Sequence, residues 1–315
     1  MRIVPVLFPC DLASTNRGEY KGEGTRGAPD LMLDMLESES VRFASPKMVS
    51  VNLPSAGESA ESPLKFDEAI AKVISDGAEV IANVNAEGNF PVILGGDQLA
   101  MCAQILAAGD ISGGVGLAVL ADAHLDLATP GVPAYDDKEA LKDDTRTWDG
   151  DASRMVLAAA LRMFPANTAI ARTMKNTALK ASQCSVVGVR GPENAQTKAN
   201  ESAAGIDVWR MERLEFDGES AYRSMLSRHL EMGPLALSID ASGLDPHLMT
   251  AVQRSVPDGF DWSFLKRSLE QCVRHVDRLL GLDLCEMDPS LDNVNHSSMQ
   301  RLIETIAPFL RRVTR

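Results

Sequence analysis

Short apolar runs, many rich in β-branched residues, recur along the chain at Ile3 to Phe8, Met48 to Leu53, Val92 to Leu94, Val115 to Ala121, Ser185 to Val189, Ile206 to Trp209, Leu235 to Asp240 and Leu282 to Glu286. Runs this continuously apolar predict strands buried on both faces, as in parallel sheets. Helical spacing fills most of the intervals, at Phe66 to Ala86, Gln98 to Ala108, Ala152 to Phe164, Glu219 to Met232, Trp262 to Leu280 and Ser298 to Val313. About eight strands alternating with helices predict a parallel, doubly wound α/β sheet, because parallel strands need crossover connections. A closed barrel has the same alternation and stays open as an alternative on pattern alone. Two stretches without periodicity, Asp11 to Ala28 and Thr129 to Asp151, predict long loops, the second forming a wall of a pocket. With no repeat and no linker, residues 1–315 read as a single domain.

Acids stand where the apolar runs end. Asp97 follows Val92-Ile93-Leu94, the set Asp122, His124 and Asp126 follows Leu117 to Ala121, Asp240 closes Leu235 to Ile239, and Glu286 follows Leu282 to Cys285. Open α/β sheets place their ligand crevice at the carboxyl ends of strands, so these patches are expected to converge there. In Asp122-Ala123-His124-Leu125-Asp126 the three candidate ligands alternate, which puts them on one face of an extended segment. A single strand-end aspartate is usually a cap or turn former. Four strand ends carrying acids, one with a histidine, point instead to a divalent cation. Asp245 flanks a turn with Ser242, Gly243 and Pro246, and His247 lies just beyond it. His229 and His275 fall within helical patterns and read as structural, and His296 is little better placed. The glycines Gly113, Gly114 and Gly116 precede or open a strand, whereas a phosphate cradle needs them between strand and helix.

Composition narrows the partners. A balance of 31 basic against 44 acidic residues, net -13, disfavours nucleic acid and anionic membrane surfaces. Five scattered cysteines without CxxC spacing suit free thiols in a reducing compartment. The N-terminal apolar run is short and interrupted by Pro5, and charges break every other apolar stretch before the roughly 18 residues that a membrane span requires. A soluble, cytoplasmic protein is expected.

Taken in order, Leu94-Gly95-Gly96-Asp97, Asp122-Ala123-His124-Leu125-Asp126, Ser238-Ile239-Asp240 with Leu244-Asp245-Pro246, and Glu286-Met287-Asp288-Pro289-Ser290-Leu291-Asp292 resemble the motifs of the ureohydrolases, the family of arginase, agmatinase and formimidoylglutamase. The glycine-rich stretch Gly22 to Pro29 resembles that family too. The resemblance implies a three-layer α/β/α fold with an eight-stranded parallel sheet. It implies two manganese ions bridged by a hydroxide that attacks the central carbon of a small cationic guanidine or amidine. Carried over by motif, Asp122 and Asp240 match carboxylates that bridge both metals, His124 a ligand of one metal, and Asp126 a ligand of the other that orients the hydroxide. Glu286 matches the carboxylate that holds the substrate's cationic nitrogens. Trimers or hexamers are common in the family, so a homo-oligomer is expected.

The departures bear on metal content. Gln98 stands where the family has a ligating histidine, and Ser242 where it has a second aspartate. Loss of two such ligands is expected to cost at least roughly 3 kcal/mol of metal affinity. Ser153 stands where a proton-shuttling histidine is expected, and Glu193 is the remaining candidate on the substrate side. Asp122, His124 and Asp240 are also the ligand types of the single-zinc set in the related metal-dependent deacetylases, whose tandem catalytic histidines are missing here. The chain is therefore expected to be a hydrolase of linear guanidines or amidines with one or two ions, Mn2+ or a single Zn2+. The alternative is a metal-poor scaffold or binding protein.

Overall fold

The computed structural model describes residues 1–13, 24–51, 63–109, 111, 113–129, 152–193 and 195–314. Most of the two predicted loops, and the end of the predicted Met48 to Leu53 strand, lie outside the described residues. Eight strands, β1 (Ile3–Phe8), β2 (Lys47–Met48), β3 (Phe90–Gly95), β4 (Val115–Ala121), β5 (Leu179–Val189), β6 (Asp207–Arg210), β7 (Leu235–Asp240) and β8 (Leu279–Cys285), form one sheet. Their order is β2, β1, β3, β8, β7, β4, β5, β6, and every pairing is parallel. With β2 and β6 as open edges the sheet is not a barrel.

Helices cover both faces because the strands are apolar on both. On one face Ala118, Leu120, Leu237, Ile239, Leu282 and Leu284 pack against Met32, Tyr222, Leu226, Leu265 and Leu302, from helices Ala28–Ser38, Met211–Met232, Trp262–Cys272 and Ser297–Val313. On the other, Val4, Val6, Phe8, Ile93, Leu117, Val119 and Val186 meet Ile70, Ile74, Met101, Leu157 and Ile170, from helices Pro63–Ala86, Leu99–Ala107, Val156–Ala160 and Ala169–Thr173. Each large aliphatic side chain so buried contributes about 1.5–3 kcal/mol, which makes this a three-layer α/β/α fold held from both sides.

Several boundaries differ from the sequence expectation. The expected helix from Ala152 to Phe164 is a 3-10 turn, Ala152–Met155, followed by the short helix Val156–Ala160. Arg162 turns left-handed at φ 61 and ends it. The helix expected to run from Trp262 to Leu280 is α-helical only to Cys272, continues as a 3-10 helix, Val273–Arg278, with His275 out of helical geometry, and gives way to the sheet at Leu279, which pairs with Leu235. Helices Ala28–Ser38 and Ala195–Ala204 had no clear periodic signal. All five cysteines are buried with free thiols. Among the described residues no helix is long and apolar enough to cross a membrane.

One polar pair lies inside the sheet. Ser238 and Asp283 are register partners on β7 and β8, and the serine hydroxyl donates to Asp283 Oδ1 at 2.8 Å. Burial pushes the Asp283 carboxyl up to about 8, against hydrogen bonds from Ser238 and Cys285 that favour the anion, and the Asp240 charge adds to the rise. An unfolded aspartate ionises near pH 4 while the folded one stays protonated to about 8, so stability is lost as pH rises between them. That interval bounds the cost at roughly 5 kcal/mol. Asp283→Asn is expected to gain at least about 2 kcal/mol at pH 8 and close to nothing at pH 4, read from unfolding at both. An equal effect at the two pH values refutes the assignment.

Candidate metal centre

β3, β8, β7 and β4 are neighbours in the sheet, so their four carboxyl ends deliver Asp97, Glu286, Asp240 and Asp122 to one edge. Three carboxylates from β4, its following segment and β7 then meet: Asp122, Asp126 and Asp240 each place an oxygen within 4.8 Å of the others, and all three are buried. A register shift at Val119 and Ala121 lets β4 bend as it leaves the sheet. Two residues of the site hold left-handed backbone, Asp126 at φ 49 and Glu286 at φ 62, and such strain persists only where the surroundings enforce it.

Close hydrogen bonds fix Asp122, Asp240, Glu286 and Asp97. Asp122 Oδ1 accepts the His124 N–H at 2.7 Å, and Oδ2 accepts from Gln98 Nε2 at 2.9 Å. Asp240 Oδ1 accepts the Ser242 N–H at 2.7 Å. The Ser242 hydroxyl lies 3.4 Å from Asp122 Oδ1 and 3.5 Å from His124 Nδ1, so serine replaces a charge with hydrogen bonds. Glu286 Oε1 accepts the Gln98 N–H at 3.1 Å, and the Glu286 N–H donates to Gly96 O at 2.8 Å. Gly96 must be glycine, since a Cβ there would stand 2.1 Å from Cys10 O. Asp97 serves otherwise: its carboxylate accepts the Ala13 N–H at 2.8 Å and the Leu99 N–H at 3.1 Å, tying an N-terminal segment to the start of helix Leu99–Ala107.

The electrostatics follow from burial. Desolvation raises the Asp122 carboxyl well above its ordinary range, and the charges of Asp240 and Asp126 add to it. Burial also raises Glu286, with Asp240 adding and Arg254 opposing. Asp240 is raised by burial as well, while the Ser242 hydrogen bonds, Arg254 and Arg190 pull it back. Burial lowers His124 to about 3, helped by Arg254, Arg154 and Arg190, so its imidazole is neutral, as a metal ligand must be. Gln98 Oε1 is buried and has no hydrogen-bond partner. Three converging carboxylates with an orphaned amide oxygen beside them fit one hard divalent cation.

The other predicted positions sit apart from this trio. Ser153 is buried, with its N–H on Ala13 O at 3.1 Å. It is the next residue, Arg154, that lines a cavity of about 20 Å³ with His124 and Asp126. Glu193 borders the same cavity, but its carboxylate is held by Arg210 Nη2 at 3.0 and 2.9 Å. Asp245 caps its turn by accepting the His247 and Gly259 N–H groups, and His247 is exposed. Sequence reasoning passed over three arginines, Arg154, Arg190 and Arg254. No local pattern marked them, because long cations are usually solvated. Arg190 is locked by backbone carbonyls, including Ser242 O at 3.0 Å, Val256 O at 2.8 Å and Pro257 O at 2.8 Å.

Comparison with known proteins bears on the family and the fold. The Arginase family model matches residues 2–307. An arginase from Brevibacillus brevis is 25% identical over 298 residues, covering 94% of this chain and 92% of that protein. Bacillus cereus arginase has a similar structure, with a TM-score of 0.78 at 19% identity, covering 99% of this chain and 98% of that one. The agmatine ureohydrolase of Thermoplasma volcanium has a TM-score of 0.65 at 15% identity, covering 100% and 89%. Matched along nearly its whole length and sharing the parallel sheet of these enzymes, the chain belongs to the arginase family.

Proposed function

We propose that this protein is a metal-dependent hydrolase that cleaves a C–N bond in a small linear guanidine or amidine, using one divalent ion per chain. The observation that carries this reading is the buried trio of Asp122, Asp126 and Asp240, whose oxygens lie within 4.8 Å of one another. Like charges packed this closely away from water are costly unless a cation neutralises them. Gln98 Oε1 completes an all-oxygen donor set, which suits manganese better than zinc. His124 lies outside the trio, 3.8 Å from Asp122 Oδ1, and with Ser242 it forms the weaker half of the centre. When bound, such an ion lowers the pKa of water toward neutrality and so supplies the nucleophile.

The chain's own residues do the rest. Asp126, in its strained left-handed conformation, aims a carboxylate at the centre and orients the attacking water. Glu286, steered by the Gln98 N–H, takes the cationic nitrogens of the substrate, a pairing strengthened by burial. Glu193 is already paired with Arg210, so it offers the far end of the substrate a neutralised ion pair, not a bare acid. Ser153 cannot carry a proton near neutral pH, which leaves proton removal to solvent. A homo-oligomer in the cytoplasm belongs to the same proposal. A second reading, a silent relative that keeps the scaffold for binding, is favoured by the arginine charges that bear on His124, Asp240 and Glu286.

Metal analysis after dialysis against manganese is expected to give about one ion per chain, with release of urea, ammonia or formamide from one of arginine, agmatine, guanidinobutyrate or formimidoylglutamate. Asp122→Asn is expected to abolish both. Metal and rates retained in that variant would sink the proposal. Combining Gln98→His with Ser242→Asp restores an imidazole and a carboxylate, and is expected to raise occupancy toward about two ions per chain. Unchanged occupancy would mean that these positions do not face a metal shell.

A further inference from the structure

Two segments carry the acids of the proposed centre: the one that follows β4, with Asp122, His124 and Asp126, and the turn after β7, with Asp240 and Ser242. Arg190, just past the end of β5, is bonded to both. Its main-chain N–H and that of Gly191 converge on Ala123 O at 3.0 and 2.8 Å, between Asp122 and His124. Its guanidinium donates to three successive carbonyls of the turn, Ser242 O at 3.0 Å and Gly243 O and Leu244 O at 3.2 Å each. Further bonds run to Gly188 O at 2.9 Å, and to Val256 O and Pro257 O at 2.8 Å, so all three guanidinium nitrogens are engaged. The turn passes this anchorage on to the acids. The Ser242 N–H donates to Asp240 Oδ1 at 2.7 Å, and its hydroxyl reaches Asp122 Oδ1 at 3.4 Å. Glycines permit the approach: a Cβ at Gly191 would stand 2.8 Å from His124 Cδ2, and one at Gly259 would stand 2.4 Å from Arg190 Nη2 itself.

We propose that Arg190 is the positioning residue of the metal centre: it locks the turn after β7 against the segment after β4, and so holds Asp240 at its distance from Asp122 and Asp126. The proposal rests on the reading of that trio as a cation site. The work is geometric. A guanidinium presents its donors in a rigid planar fork, whereas the lysine ammonium is a single point with three donors and cannot span six carbonyl oxygens from three segments. Carboxylates that meet within 4.8 Å repel one another, so a segment released from this clamp relaxes outward and must be gathered again before an ion is held. Loss of a contact that orients metal ligands from outside costs about 10- to 100-fold in metal affinity. Arg190 itself has no acceptor atom to offer an ion, and it acts only through the backbone it holds.

The test uses the whole protein and Arg190→Lys, which keeps the charge and removes the fork. Equilibrium dialysis is expected to show manganese bound at least about 10-fold more weakly than by the wild type. Ile74→Val, a core truncation in helix Pro63–Ala86, is expected to lower Tm by a few degrees and to bind manganese like the wild type, which separates positioning from general stability. A second readout needs no metal. In EDTA the His124 and Ser242 N–H groups, each held by a carboxylate of the trio, are expected to exchange with solvent at least about 10-fold faster in Arg190→Lys, with helix Ser297–Val313 unchanged. Wild-type manganese affinity in that variant, or faster exchange at one of the two groups without the other, overturns the proposal. If Arg190→Lys does not fold, Gly259→Ala, whose added methyl displaces the guanidinium, goes through both measurements, and wild-type behaviour there is equally fatal. Manganese held by the wild type without turnover defeats hydrolysis alone. A wild type that takes up no manganese defeats the metal reading, and the exchange rates then decide on the clamp by themselves.

Discussion

Burying several like charges at one point is the constraint on which the site depends. Asp122, Asp126, Asp240 and Glu286 are 2, 4, 1 and 5% exposed, and three of them crowd within a few ångströms. Hydrogen bonds from His124, Ser242 and Gln98 ease this only in part, since Asp122, Asp240 and Glu286 all remain raised by burial. A fold that keeps such a cluster must also supply positive charge, from an ion, from arginines or from a cationic ligand. The arginines around the site answer part of that demand, whereas His124, held neutral, does not.

The sheet makes the crowding possible. Because β8 and β7 insert between β3 and β4, strands distant in sequence become neighbours, and their carboxyl ends open side by side. The close approach of Gly96 to Cys10 O, and of Gly243 to Asp122 N, where a Cβ would stand at 2.4 Å, brings these ends nearer than residues with side chains allow. Packing on both faces then holds the geometry, so the acids are fixed by the core and not by one another.

Much of this was legible in the sequence. Continuous apolar runs such as Val115 to Ala121 named the buried strands, and the acids after them named the edge where a site would form. What periodicity missed has physical causes. Helix Ala28–Ser38 follows a glycine-rich stretch and opens with Pro29 in its first turn, which reads as loop although proline is well tolerated there. The run from Met48 marked the second strand but misplaced it, since β2 is only Lys47–Met48, two exposed residues, and Val49 to Val51 lie outside it. Asp97 looked equal to the other strand-end acids, yet its oxygens are spent on the Ala13 and Leu99 N–H groups, a distinction that only tertiary contacts make. The arginines escaped because long cations are usually solvated, and nothing local shows which will fold inward.

Charge also bears on how many ions the proposed centre would accept. Three carboxylates with one divalent ion sum to a single negative charge, which the nearby arginines balance. Two ions would make the same trio positive by one, beside Arg190, Arg154 and Arg254, in a region screened from water. By motif resemblance Ser242 stands where the family has a second aspartate, and that serine brings two hydrogen bonds but no charge. Replacing the histidine with Gln98 acts in the same direction, since its amide donates to Asp122 through one atom and leaves the other as a neutral oxygen. On the proposed reading the two substitutions and the nearby arginines act in one direction, leaving less of the positive charge to be supplied by metal.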